Sequence, residues 1–303
     1  LWYAIRDKVF NINSRFKYLL LLLYWSPLML LGTCFFTGMF VPFIYWKIPM
    51  RTYIPGLIIM GYSSKLFPAL FTLFADLVRL FQFGIASFQH GPAVSFKYIT
   101  RKKILIVTGW AIGTVFFILL VIGMSWGNYS FQVRRVNIDL QELPVRFDGL
   151  KIVQVSDIHL GSWTSHYKLR EVVHMINSLE PDLIFFTGDL LNYCSADIAD
   201  SGPVLAQLHA KCGIFSILGN HDYGDYLRWR YPELKKLDHQ KLIDFEKLIG
   251  WKLLLNENYI LTRDTDSIAI LGVENWGNVA RFQRLADMVK TIKGADHFKV
   301  QLL

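Results

Sequence analysis

Residues 151–160 read KIVQVSDIHL, an apolar run that stops abruptly on Ser156, Asp157 and His159. The same construction recurs twice downstream. The run Asp182–Thr187 ends on Gly188 and Asp189, and the run Gly213–Leu218 ends on Gly219, Asn220, His221 and Asp222. Short apolar runs bounded by glycine and polar residues read as buried strands. Helix-period stretches at Tyr167–Leu179 and Ala196–Ala210 alternate with them, so residues from Tyr129 onward are expected to form an α/β domain. A further strand is predicted at Ser267–Val273, and further helices at Asp238–Ile249 and Val279–Ile292. Sites in α/β folds collect at the carboxyl ends of strands, and here three such ends carry Asp, His and Asn.

An Asp and a His two residues apart can chelate a divalent ion with one hard oxygen and one borderline nitrogen. Asp189, behind a glycine that lets the chain turn tightly, can bridge two ions. Asn220 offers a neutral amide oxygen to the second, which leaves His221 free as an acid or as a charge on a substrate oxygen. Two ions ~3.5–4 Å apart form a clamp for in-line attack of hydroxide on phosphorus.

The set D-x-H (Asp157, His159), G-D (Gly188, Asp189) and G-N-H-D (Gly219 to Asp222), in this order and at roughly 30-residue intervals, resembles the calcineurin-like metallophosphoesterase superfamily. The likeness extends over residues 137–303, and the phrase FDGLKIV (147–153) looks like its membrane-associated bacterial branch. The resemblance implies a four-layer αββα sandwich with a two-metal centre at the inner strand ends. It also implies that Asp157 and His159 hold the first ion, Asp189 bridges, Asn220 holds the second, and His221 protonates the leaving group. The cofactors it implies are two divalent ions from the set Mn, Fe, Zn and Mg. The family adds a later histidine and a G-H-x-H turn. After His239 this sequence has only His297, followed by the strand-like run FKVQLL, so the domain is expected to be truncated at its C-terminus.

Other polar residues carry weaker signals. His174 and His209 lie on helical patterns and read as surface residues, whereas His166 could lean over the cleft. Asn192 either orients His221 or caps a turn. Glu274, Asn275 and Trp276 follow a strand and could line a substrate pocket, and Trp229, Arg230 and Tyr231 occupy an irregular stretch where specificity loops belong.

The first 126 residues are a different material. The chain of 303 residues is 53% hydrophobic with a mean hydropathy of +0.31, too apolar for one ordinary soluble domain. Its net charge of +8 belongs to the apolar half: residues 1–126 hold 12 Lys/Arg against Asp7 and Asp76, whereas residues 127–303 hold 20 against 22 Asp/Glu. The basic excess is therefore not a nucleic-acid footprint. Uncharged or nearly uncharged runs predict three transmembrane spans at about 18–46, 54–86 and 104–126, and place the phosphoesterase domain at 127–303. Asp76 and Arg79, three apart on one face of the second span, can neutralise each other as a paired anchor near the headgroups. The basic clusters Arg6, Lys8, Arg15, Lys17 and Lys97, Arg101, Lys102, Lys103 should face the cytoplasm. With three spans, the polar half is then extracytoplasmic, on an integral protein of the inner or plasma membrane. Three cysteines (Cys34, Cys194, Cys212) cannot build a disulfide framework.

These readings converge on a membrane-tethered hydrolase of phosphate esters or pyrophosphates, acting through hydroxide activated by two ions. The expected partner is a phosphate-containing small molecule or lipid, and not nucleic acid. No P-loop or Rossmann fingerprint is present to favour nucleotides. The competing class is an inactive membrane sensor whose phosphoesterase domain has lost its metals.

Overall fold

The structure, a computed structural model, describes residues 1–2, 9, 11, 15–91, 95–96, 99–199, 201–277 and 284–302. The chain divides into two compact units, residues 1–131 and 132–303.

The first unit is built on three helices, α1 (Phe16–Phe40), α2 (Ile48–His90) and α3 (Lys103–Ser125), each long and apolar enough to cross a membrane. At ~1.5 Å rise per residue, α3 spans about 34 Å and α2 about 64 Å, twice a hydrocarbon core. Gly109 and Gly113 of α3 let the backbones of α2 and α3 meet, since a Cβ on Gly113 would stand 2.6 Å from the Ser64 carbonyl oxygen. Small residues four apart make such close helix contacts in lipid. The expected Asp76–Arg79 pair does not form. Asp76 instead takes the guanidinium of Arg101, which donates to both carboxylate oxygens. Arg79 donates to the carbonyls of Phe96 and Ile99 and lies 3.9 Å over the Phe96 ring. A guanidinium arriving from the segment before α3 can meet a carboxylate with both arms, which is the stronger geometry. Of the basic flanks, Arg6, Lys8 and Lys97 lie outside the described residues.

The second unit begins with β1 (Ile152–Val155), α4 (His166–Ser178), β2 (Leu183–Phe186), a short α5 (Gly202–Leu205) and β3 (Ile214–Ser216). It continues with α6 (Pro232–Leu248), β4 (Lys252–Leu253), β5 (Glu257–Arg263), β6 (Asp266–Gly272), α7 (Met288–Ile292) and β7 (Gln301–Leu302). Strands β1 to β4 form a parallel sheet in sequential order, and β5, β6 and β7 a second, mixed sheet.

Side-chain alternation sets the layers. Ile184 and Phe186 of β2 face Leu169, Val173 and Ile176 of α4 and Leu242 of α6. Leu183, next to them in the chain, points the other way and joins Phe215 against Leu261, Ile268 and Ile270 of the second sheet. The intervening Ala269 and Leu271 pack outward with Ala295 and Ile292. The result is helices, sheet, sheet and helix, the four-layer arrangement expected, preceded by apolar helices.

Four local expectations change. The helix over Ala196–Ala210 is broken into a 3₁₀ turn at Ser195–Ile198 and α5, because Pro203 cannot continue a helix through Ser201 and Gly202. Of the helix expected over Val279–Ile292, residues 278–283 lie outside the described set and 284–287 are not helical; α7 follows, and Asp287 caps it by accepting from the Lys290 N–H. Helix α6 starts at Pro232, not Asp238, with proline in its first turn where no N–H is missed. Strands β4 and β5 are additions to the expected set, since β5 reads ENYILTR, half exposed and without a continuous apolar run.

A carboxylate stands inside this core. Glu246 of α6 is completely buried; it accepts a hydrogen bond from Ser216 of β3, and its other oxygen has no partner among the described residues. Burial, with a smaller contribution from the Asp222 charge, pushes its carboxyl up to about 8. The folded state therefore favours the protonated acid. That stabilisation is fully present below the ordinary glutamate range, near pH 4.5, and is lost as pH rises through about 8. Glu246→Gln should match the native protein at pH 5 and exceed it at pH 9 by a few kcal/mol, since each tenfold change in proton affinity corresponds to about 1.4 kcal/mol. The check is the thermal midpoint of the second unit in the detergent-solubilised chain across that pH range; a midpoint that falls equally for both proteins would refute it.

Candidate metal centre

The three strand-end loops are tied to one another by backbone hydrogen bonds that continue the β1–β2 ladder past the strands. Thr187 N–H donates to the Val155 carbonyl, Asp157 N–H to Gly188, His159 N–H to Asp189 and Leu160 N–H to Leu190, all within 2.9–3.1 Å. The loops are also strained: Asp157, His159 and Asp189 have φ of 55°, 48° and 58°, left-handed values that non-glycine residues avoid. Such conformations persist where surrounding contacts over-determine them, and they cluster at functional sites.

Gly188 and Gly219 permit the closest approach. A Cβ on Gly188 would lie 2.4 Å from the Gly219 nitrogen, and one on Gly219 would lie 2.2 Å from Asp189 Oδ1. Behind them sits Asp222, 2% exposed, whose carboxylate accepts from the backbone N–H groups of Asp189 (2.8 Å), Leu191 (3.0 Å) and Gly219 (2.9 Å). Burial, with a smaller contribution from the nearby Asp189 charge, raises its pKa to about 6 against the pull of these donors.

This scaffold brings together the residues singled out by sequence. One ligand atom each of His159, Asp189 and His221 falls within 4.8 Å of the others. His159 Nε2 lies 3.8 Å from Asp189 Oδ2 and 3.9 Å from Asp157 Oδ1. An ion about 2.1 Å from each donor needs donors roughly 3–3.5 Å apart, so His159 Nε2 and Asp189 Oδ2, 3.8 Å apart, need to close by a few tenths of an ångström to share one. Both imidazoles have their other nitrogen engaged: His159 Nδ1 is 3.0 Å from the Leu191 carbonyl and His221 Nδ1 2.9 Å from the Asn192 carbonyl. A carbonyl accepts only, so each ring carries its proton on Nδ1 and presents the Nε2 lone pair to the cluster. The donor set of carboxylate and imidazole fits a divalent ion.

Asp157, Asp189 and Asn220 line a cavity of about 520 Å³ together with Ser156 and Thr187; His159 and His221 are not among its lining residues. Ile217, Leu218, Val273, Trp276 and Met288 make its apolar wall. Glu274 and Asn275 line it as well, and Glu274 is held there by the Tyr223 hydroxyl at 3.0 Å and by Asn256. Burial and the Glu274 charge push the Tyr223 phenol well above its ordinary value.

The other sequence candidates are distributed differently. His166, His174 and His209 are exposed, and His166 is not among the cavity-lining residues. Asn192 meets His221 through its backbone carbonyl, while its side chain donates to Ser162. Trp229 donates to the Gly224 carbonyl. Sequence reasoning assigns no role to Asp222 or Tyr226. The first stands in its motif, and its adjacency to His221 is the available signal; nothing in the sequence points to the second.

Residues 150–298 match the family model described as calcineurin-like phosphoesterase, and the second unit is a domain of that family. UDP-2,3-diacylglucosamine pyrophosphatase LpxG of Chlamydia trachomatis is 38% identical over 114 residues, covering 35% of this chain and 34% of that protein. A transmembrane protein with metallophosphoesterase domain from Danio rerio is 34% identical over 106 residues, covering 35% of this chain and 24% of its own length. The metallophosphoesterase YkuE of Bacillus subtilis is 42% identical over 86 residues, covering 28% and 30%. The chain thus spans between about a quarter and a third of these relatives. A metallophosphoesterase domain implies divalent metal use, and three apolar helices beside it mark a membrane protein.

Asp222→Asn replaces an acceptor-only group by one with a single oxygen, leaving at least one buried N–H facing a donor. A loss of roughly 1–3 kcal/mol is expected, read as a lower thermal midpoint of the second unit together with weaker Mn²⁺ binding. An unchanged midpoint would show that the three bonds do not hold the loops.

Proposed function

We propose that this chain is a membrane-tethered, metal-dependent phosphoesterase that hydrolyses a phosphate ester or pyrophosphate bond in a lipid-linked substrate. The observation that carries the reading is the convergence of His159, Asp189 and His221 at three strand ends, with Asp189 lining a cavity together with Asp157 and Asn220. In this reading Asp157 and His159 would hold one ion, Asn220 a second, and Asp189 would serve both. Two such ions would supply positive charge for the phosphoryl oxygens and would lower the pKa of a water in the site.

The protein's own groups do the rest. His221, its Nδ1–H committed to the Asn192 carbonyl, has Nε2 as the nitrogen that takes up a proton and passes it to the leaving oxygen. The strained turns at Asp157, His159 and Asp189 hold the donors in place before substrate arrives, which lowers the reorganisation needed in the transition state. A lipid-linked substrate is supported by the apolar cavity wall, by the three apolar helices, and by likeness to an enzyme named for UDP-2,3-diacylglucosamine.

Mn²⁺-dependent hydrolysis of a chromogenic phosphodiester by the detergent-solubilised chain tests the chemistry. EDTA should abolish it, and Asp189→Asn should lower it more than about 100-fold, beyond the usual cost of losing an outer partner of a metal ligand. Hydrolysis that survives both would exclude the assignment.

For topology, the basic residues Arg15 and Lys17 before α1 and Arg101, Lys102 and Lys103 beside α3 support a cytoplasmic location for those flanks. The second unit is then extracytoplasmic. A cysteine introduced on its surface should react with an impermeant maleimide in intact cells; reaction only after permeabilisation would reverse the orientation.

A further inference from the structure

Tyr226 touches both residues of the third strand-end loop that belong to the proposed centre. Its ring lies flat on the His221 imidazole, with centroids 3.9 Å apart and planes 13° from parallel. Its hydroxyl accepts a hydrogen bond from the Asn220 side-chain nitrogen at 2.9 Å. An amide differs from a carboxylate here. It has one donor end and one acceptor end, and a half-turn about its last bond exchanges them. Only the oxygen end binds a cation, so an asparagine ligand needs something to fix which way it faces. A phenol oxygen against Nδ2 does that, and it directs Oδ1 away from Tyr226.

The geometry points to Tyr226 as a positioning residue: its hydroxyl sets the amide so that Asn220 presents oxygen to the second ion, and its ring braces His221. The inference rests on the two-metal reading above. It extends that reading by assigning the orientation of one ligand and one proton donor to a single side chain six residues beyond Asn220. Outer partners of this type hold metal ligands in register in many sites, and losing one typically weakens binding by about 10–100-fold.

The experiment titrates the metal-free, detergent-solubilised chain with Mn²⁺ by calorimetry and follows phosphodiester hydrolysis in parallel. Tyr226→Phe keeps the stacked ring and removes the hydroxyl. The weaker Mn²⁺ site should lose about 10–100-fold in affinity, with the metal-free thermal midpoint unchanged and kcat restored at saturating Mn²⁺. Tyr226→Leu, which also removes the ring, should keep a lowered kcat at saturating Mn²⁺. The discriminating comparison is made in an Asn220→Asp background. A carboxylate presents oxygen either way round, so there the effect of Tyr226→Phe on Mn²⁺ affinity should vanish, which a merely structural tyrosine would not produce. Equal Mn²⁺ binding by the native protein and Tyr226→Phe overturns this inference and leaves the phosphoesterase reading standing. A native protein that binds no Mn²⁺ overturns both.

Discussion

The geometry of the centre depends on one buried carboxylate. Asp222 lies beneath the second and third strand-end loops and collects three backbone N–H groups, two from the loop after β2 and one from the loop after β3. Those donors point inward with no strand to receive them, and an unmatched buried N–H costs free energy comparable to a lost hydrogen bond. One carboxylate satisfies all three and thereby sets the distance between the loops. Asp189 and Asn220 inherit their positions from that distance, as do the glycines at 188 and 219, whose backbones meet too closely for any side chain.

The strain in the loops follows from the same arrangement. Parallel strands end in register, so successive loops leave the sheet side by side. Turning donors from each toward a common point puts Asp157, His159 and Asp189 in left-handed backbone conformations. The ladder of backbone bonds between the β1 and β2 loops offsets that cost. Around the site the neutral tautomer of each histidine is set by a carbonyl on its far side, from Leu191 and Asn192, consecutive residues of the loop that carries Asp189. The loop after β2 therefore supplies Asp189 and the acceptors that aim the two imidazoles.

The membrane unit obeys different rules. Among its described residues Arg101 is matched to Asp76, and Arg79 to backbone carbonyls and an aromatic face. Close packing comes from glycine, serine and proline where α2 meets α3. The cohesion of the second unit comes from two apolar layers flanking the parallel sheet and a third outside the mixed one.

Periodicity and punctuation in the sequence were enough for the α/β class, for strands where β1, β2 and β3 stand, for the apolar helices and for the polar strand ends at which His159, Asp189 and His221 meet. These depend on local pattern: alternation, apolar length, and the residue types at strand ends. What sequence could not reveal depends on partners distant along the chain. Strand β5 is stabilised by antiparallel pairing with β6 and not by its own apolarity. Asp76 finds Arg101, 25 residues away, in preference to its neighbour Arg79. Asp222 and Tyr226 are ordinary residues in the string. They acquire their parts only when folding brings the loop after β2 over one and the imidazole of His221 against the other, because hydrogen bonding and stacking are set by distance in space and not by spacing in the chain.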